Sequence, residues 1–194
     1  MHEHSKGRTQ YEPLAQDAQQ ALLSIARATI TAFIESDRLP VFEPNPEVLK
    51  EQRGVFVTLR KRGQLRGCIG HHESRLPLYI LVPELAVSAG FRDPRFRPLE
   101  KAELDKVRID ISVYLTEVYR IADLSEFELG VHGIIMTKGG RSATYLPEVP
   151  IEAGWTTVAE EMASLCAKAG LPVGAWRKGA DFYVYKTQVF GEGD

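Results

Sequence analysis

Two cysteines, Cys68 and Cys166, are all the chain has in 194 residues. A single pair cannot build the disulfide framework of a small secreted domain, and the start, MHEHSKGRTQYEP, has no apolar leader core. The expectation is a protein of the reducing cytoplasm. No CxxC, CxxxCxxC or HExxH occurs, which leaves an iron–sulfur cluster and the common zinc sites without support. No GxGxxG follows a strand pattern and no Walker loop is present, so dinucleotide and P-loop chemistry are unsupported too. The chain reads as one with no metal and no cofactor. No apolar run is long enough to span a bilayer. An excess of one charge is also lacking: 24 Lys and Arg face 26 Asp and Glu, a formal net charge of −2. With no basic stripe interleaved with aromatics, neither nucleic acid nor a membrane is an expected partner.

What is present is enough apolar material for a core, 44% hydrophobic against 26% charged residues. Residues 1–12 read as a disordered tail, and residues 13–194 as one domain. Leu14, Ala18, Leu22, Ile25, Thr29 and Phe33 recur at helical spacing over 13–36, with Pro13 suited to a first turn. GVFVTLRKRGQLRGCIG reads as a hairpin turning at residues 61–64. Residues 76–91 look helical, with a break or kink expected at Pro83. Over 107–118, Val107, Ile109, Ile111, Val113 and Leu115 alternate with Arg108, Asp110, Ser112 and Thr116, a strand with one wet face. A second hairpin turns at Gly139-Gly140. Thr157 and Glu160 form a capping-box pattern ahead of the stripe Val158, Met162, Leu165, Cys166 and Ala169, which Gly170 ends. DFYVYKTQVF, residues 181–190, reads as one late strand. Strands arriving as hairpins rather than in βαβ order predict an α+β fold with antiparallel sheets.

The stretch with most chemistry is GQLRGCIGHHE, residues 63–73. In a regular strand Leu65 and Ile69 share a face, expected to be the core face, while Arg66 and Cys68 share the other, which His72 continues. A guanidinium beside a thiol favours the thiolate, the form that attacks electrophiles and binds metals. Gly67 and Gly70 permit close backbone approach, and Gly70 leaves space between Cys68 and His72. The opposing reading is a small buried cysteine in a tightly packed strand. His71, His72 and Glu73 read as a solvated loop rather than metal ligands, because adjacent strand residues point apart. Cys166, on its helix stripe, reads as core.

A second cluster is FRDPRFRPL, residues 91–99. Asp93-Pro94 favours a turn from which Arg92, Arg95 and Arg97 fan out as a carboxylate or anion clamp, or as a solvated loop with one arginine pairing Asp93. His132, alone at a strand start in GVHGII, is a candidate base for Cys68.

LRGCIG at 65–70 matches the signature of the AMMECR domain family, known in bacteria and archaea as protein A of the AmmeMemoRadiSam system. DPRFRPL, ISVYL, GVHGIIM, ATYLPEV and CAKAGLP also resemble family segments in the same order, and the resemblance runs from about residue 14 to 192. It implies a two-lobed α+β domain, the larger lobe holding both chain ends and the smaller inserted, with the signature facing a cleft between them. Carried over by position, the site comprises Arg66, Gly67, Cys68, Ile69 and Gly70, then Asp93, Arg95 and Phe96, with His132 in a further matching segment. The resemblance names no reaction; the residues themselves read as cysteine-dependent chemistry on a peptide or small molecule in that cleft. The alternative is a non-catalytic binding or accessory role beside a Memo-like protein and a radical SAM enzyme.

Overall fold

The computed structural model describes residues 9–193, and the chain within them divides into two compact units. One comprises Glu12–Tyr114 and the chain from Gln188 onward; the other comprises Leu115–Thr187 and the residues up to Tyr11. Each has its own antiparallel sheet and core, so the expected α+β class holds.

The first unit is built on helix α1 (Gln16–Ser36), strands β1 (Val55–Lys61) and β2 (Gln64–His71), helix α2 (Leu78–Val87), strand β3 (Val107–Tyr114) and the last strand, β8 (Thr187–Gly191), in the sheet order β2-β1-β3-β8. Arg62 and Gly63 turn the β1–β2 hairpin with φ of 54° and 77°, the left-handed pair that matches strand twist in a two-residue turn. Helix α1 begins later than Pro13 suggests. The Leu14 amide donates to the Gln188 side chain at 2.7 Å, and Ala15 is still extended, so residue 14 is held by a distant partner before the first turn forms. From there Ala18, Leu22, Ile25 and Thr29 are buried as the periodicity requires.

Helix α2 runs through Pro83 instead of breaking. Seven of its ten residues are buried, and that packing offsets the one backbone bond the proline removes. A π-helical turn, Ser88–Arg92, and a 3-10 turn, Lys101–Lys106, flank the loop that carries Asp93. On β3, Val107, Ile109, Ile111 and Val113 face the core, but the opposite face is wet only at Arg108 and dry by Ser112 and Tyr114.

The second unit has the sheet order β4-β7-β5-β6, from β4 (Tyr119–Ile121), β5 (Gly133–Lys138), β6 (Arg141–Tyr145) and β7 (Asp181–Tyr185), with helices α3 (Glu148–Ala153) and α4 (Val158–Lys168). Gly139 and Gly140, both at positive φ, turn the second hairpin as expected. The Thr157–Glu160 capping box opens α4. At its other end the Leu171 and Gly170 amides return to the Cys166 and Ala167 carbonyls, the double bond pattern of a glycine-terminated helix. Cys166 is fully buried among Met136, Met162 and Leu165.

Residues 181–190 form two strands in different sheets rather than one. Lys186 divides them: its amide donates to Thr116 Oγ1 and its carbonyl accepts from the Leu115 amide, so neither continues the β5–β7 ladder. Of the tail expected over 1–12, residues 1–8 lie outside the described residues, while Gln10 bridges to Thr116 and the Tyr11 amide donates to the Leu115 carbonyl.

Candidate functional site

The register of the first hairpin decides what surrounds Cys68. Next to the turn, Lys61 pairs with Gln64 and Arg60 with Leu65; further out, Leu59 pairs with Gly67, Thr58 with Cys68 and Val57 with Ile69. Arg66 is therefore the extra residue of a β-bulge. This corrects the expectation that Leu65 and Ile69 share the core face. Ile69 packs against the core beside Val57, whereas Leu65, on the far side of the bulge, is exposed. Cys68 lies opposite Thr58, and the Thr58 hydroxyl donates to its Sγ at 3.2 Å. Cys68 is partly exposed and in no disulfide.

Strand β2 is a sheet edge, and an edge strand leaves backbone groups unpaired. At Cys68 two side chains of the second motif take their place. Its amide donates to Asp93 Oδ2 at 3.0 Å, and its carbonyl accepts from Arg95 Nη2 at 3.1 Å. Arg95 also binds Asp93 through Nε and Nη2, at 2.9 and 2.6 Å. Asp93 is buried, and the Arg95 side chain, with help from the backbone amides of Cys68 and Arg95, holds its carboxyl down to about 2 despite desolvation. Arg95 is in turn raised, first by Asp93, against the opposing effect of burial, and more weakly by Cys68. The structure thus brings Cys68, Asp93 and Arg95 into one constellation. Phe96 joins it: the Arg95 and Arg66 guanidiniums lie 5.5 and 6.0 Å from its ring centre.

Arg66 pairs with a carboxylate that the motif reading missed. Its Nε and Nη2 bind Glu103 at 3.2 and 2.9 Å, and Nη2 also reaches the Pro98 carbonyl. Lys61 binds the same carboxylate at 2.6 Å. Held by Arg66 first and by Lys61 and the Glu100 amide next, the Glu103 carboxyl sits at about 2. Arg66 Nη1 is buried without a hydrogen-bond partner.

The glycines are occupied rather than open. A Cβ on Gly67 would overlap the Ala89 carbonyl, and one on Gly70 would overlap the Phe56 ring. The space expected between Cys68 and His72 is filled by that ring, so His72 is not the continuation of a thiol site. Its own place is aromatic: Nδ1 lies 2.5 Å from the Tyr114 hydroxyl, and its ring stands edge-on to Phe56 at 5.3 Å. This corrects the reading of His72 as a solvated loop residue. Burial first, and the neighbouring His71 second, lower its pKa to about 4.

His132 belongs to the other unit. It is buried, its Nδ1 accepts from the Glu128 amide at 3.1 Å, and the Phe127 ring lies tilted to it at 6.3 Å. Burial and then the Lys186 charge lower its pKa, against a smaller opposing effect of Glu128. Among the described residues no group of three or more His, Cys, Asp or Glu side chains is placed to hold a metal ion.

Thr58 and Glu103 are the partners of Cys68 and Arg66 that the candidate site residues did not include. Thr58 could have been sought by counting across the hairpin, but uniform counting from the turn pairs it with Gly67, one residue off, because the bulge is silent in sequence. Glu103 had two signals, the EL pair at 103 that also resembles a family segment and the short helical turn that presents it.

The chain is 38% identical over 190 residues to Protein MK0488 of Methanopyrus kandleri, covering 93% of this chain and 91% of that one. It is 37% identical over 175 residues to Protein MJ0810 of Methanocaldococcus jannaschii, covering 86% of each. Its structure matches the crystal structure of the uncharacterized protein PH0010 from Pyrococcus horikoshii with a TM-score of 0.85 at 30% identity, over 93% of this chain and 94% of that one. The AMMECR1 family model matches residues 23–190, which takes in both the LRGCIG strand and the DPRF turn. The chain belongs to the AMMECR1 family.

Proposed function

We propose that Cys68 is the working group of a thiol-dependent protein that acts on a peptide or small molecule. The carrying observation is the Thr58 hydroxyl directed at Sγ of a partly exposed cysteine. A hydroxyl donor favours the charged form of the sulfur it faces. Arg95, whose Nη2 binds the Cys68 carbonyl, brings a cation to the cysteine, and a nearby cation favours a thiolate. Arg95, half-exposed beyond its bonds to Asp93, and the Phe96 ring supply the cation and the flat apolar surface against which a substrate carboxylate or carbonyl is held. The activating role expected of Arg66 passes to Thr58 and Arg95, because Arg66 is committed to Glu103.

A second reading is a binding or accessory role beside the Memo-like and radical SAM proteins that the family resemblance implies. Arg66 Nη1 favours it: a buried donor without a partner is costly, and an acceptor from a ligand would relieve that cost.

The test is the alkylation rate of Cys68 against pH, read by mass spectrometry with buried Cys166 as internal control. Fast labelling that titrates below the ordinary thiol value of about 8.5, and that slows in Thr58→Val, supports the thiol reading. Labelling no faster than that of Cys166 until the protein unfolds refutes it.

A further inference from the structure

The β1–β2 turn end of the first sheet carries a cationic hollow that the Cys68 site does not use. It has a volume of about 640 Å³ and is lined by Arg60, Arg62, Gly63, Lys106, Arg108 and Asp110. The chain as a whole is slightly acidic, yet this concavity gathers four cationic side chains around one carboxylate.

Two further observations separate it from an ordinary solvated face. Arg60 on β1 and Arg108 on β3 are direct register partners, so two guanidinium-bearing residues stand opposite each other across one antiparallel pair. Like charges in that position are unfavourable. Asp110, bonded to Arg60 Nε at 2.7 Å, is the lining carboxylate that offsets them. Then there is Arg62, which holds φ of 54° in the turn. An arginine there costs about 1 kcal/mol relative to the glycine or asparagine that such turns favour. The strained residue lines both this hollow and a neighbouring one of about 450 Å³, lined also by Lys61, Gln64, Leu65 and Arg66.

We propose that this hollow binds the phosphate chain of a small polyphosphate anion. Its size suits a ligand of nucleotide dimensions. Guanidiniums and an ammonium match phosphate oxygens, the former bidentately. No aromatic side chain lines it to stack on a base, so recognition is of the phosphates and not of what they are attached to. The open, wet position makes the interaction strongly dependent on ionic strength.

The test is calorimetric titration of the full chain with inorganic tripolyphosphate, ATP and adenosine at low salt, repeated at about 0.3 M salt, where the Debye length is roughly halved from its value at 0.1 M. The expected result is saturable binding of tripolyphosphate and ATP with similar affinity, none of adenosine, and weakening of at least about tenfold at the higher salt. The double variant Arg62→Ser/Lys106→Ser should lose at least about tenfold in affinity at unchanged melting temperature, and Arg62→Lys/Lys106→Arg should retain binding. Both residues are exposed and neither supports the fold through a described ion pair. Cys68→Ser should bind as the unaltered chain does, which keeps this result separate from the fate of the thiol reading. No binding of tripolyphosphate at low salt, undiminished binding by the serine double variant, or far tighter binding of ATP or of single-stranded RNA than of tripolyphosphate would each overturn the proposal.

Discussion

Glu161 offers the sharpest quantitative prediction. It lies on α4 between Val158 and Leu165 at helical spacing, and so takes a position on the apolar stripe of that helix. It is fully buried, and neither carboxylate oxygen has a hydrogen-bond partner. Desolvation pushes its pKa from 4.5 up to about 7. Between those values the folded state binds a proton that the unfolded chain has released. Stability therefore falls as pH rises from about 4.5 to about 7, and the loss is complete above that. That span of about 2.5 in pH, at about 1.4 kcal/mol for each, sets an upper figure of about 3.5 kcal/mol. Glu161→Met removes the buried charge and fills the same space with an unbranched apolar chain. Its stability advantage over the unaltered chain should grow by up to about 3.5 kcal/mol between pH 4.5 and pH 8. Glu161→Gln should show the same pH-dependent change but gain less at every pH, because two amide atoms inherit the unpartnered site. Urea unfolding read by tryptophan fluorescence suits the measurement, since Trp155 and Trp176 are the chain's two tryptophans and both lie in the unit that contains Glu161. An advantage of Glu161→Met that stays constant across this pH range would refute the reasoning.

Three further outcomes follow from the first unit. Gly70→Ala should destabilise by about 1–3 kcal/mol through its overlap with Phe56, and Phe56→Leu should recover part of that loss in the double variant; additive single effects in urea melts would count against the contact. Asp93→Asn should cost stability at neutral pH, with a deficit that shrinks as pH falls from about 4 to about 2, because the depressed carboxyl contributes fully above its unfolded pKa and nothing once protonated. His72→Phe should flatten a loss of stability on acidification from about 6.5 to about 4, since the unfolded histidine takes up a proton there and the buried one does not. An imidazole that titrates near 6.5 by NMR in the folded protein would contradict this.

The sequence by itself determined most of the local elements. Turn chemistry placed both hairpins at Arg62-Gly63 and Gly139-Gly140, and the capping box with Gly170 bounded α4. The alternation of Val107 to Val113 specified a core face, and the linear motifs alone carried the family resemblance. These features depend on contacts a few residues apart, which composition and spacing express directly. Glu161 was legible in principle, as a charge at a stripe position, but spacing alone does not say that no partner meets it.

The tertiary structure decided the rest, because those features rest on contacts between residues far apart in the chain. The bulge at Arg66 exists where the Ala89 carbonyl lies against Gly67 and Glu103 draws the guanidinium away, contacts 22 and 37 residues distant along the sequence. One extra residue in β2 changes which side chain opposes Thr58, and so gives the Cys68 sulfur its hydroxyl donor. The same long-range packing turned Gly70 from an open approach into a seat for Phe56, and carried α2 through Pro83. It also split residues 181–190 between two sheets, where Lys186 found partners in Leu115 and Thr116, about seventy positions away.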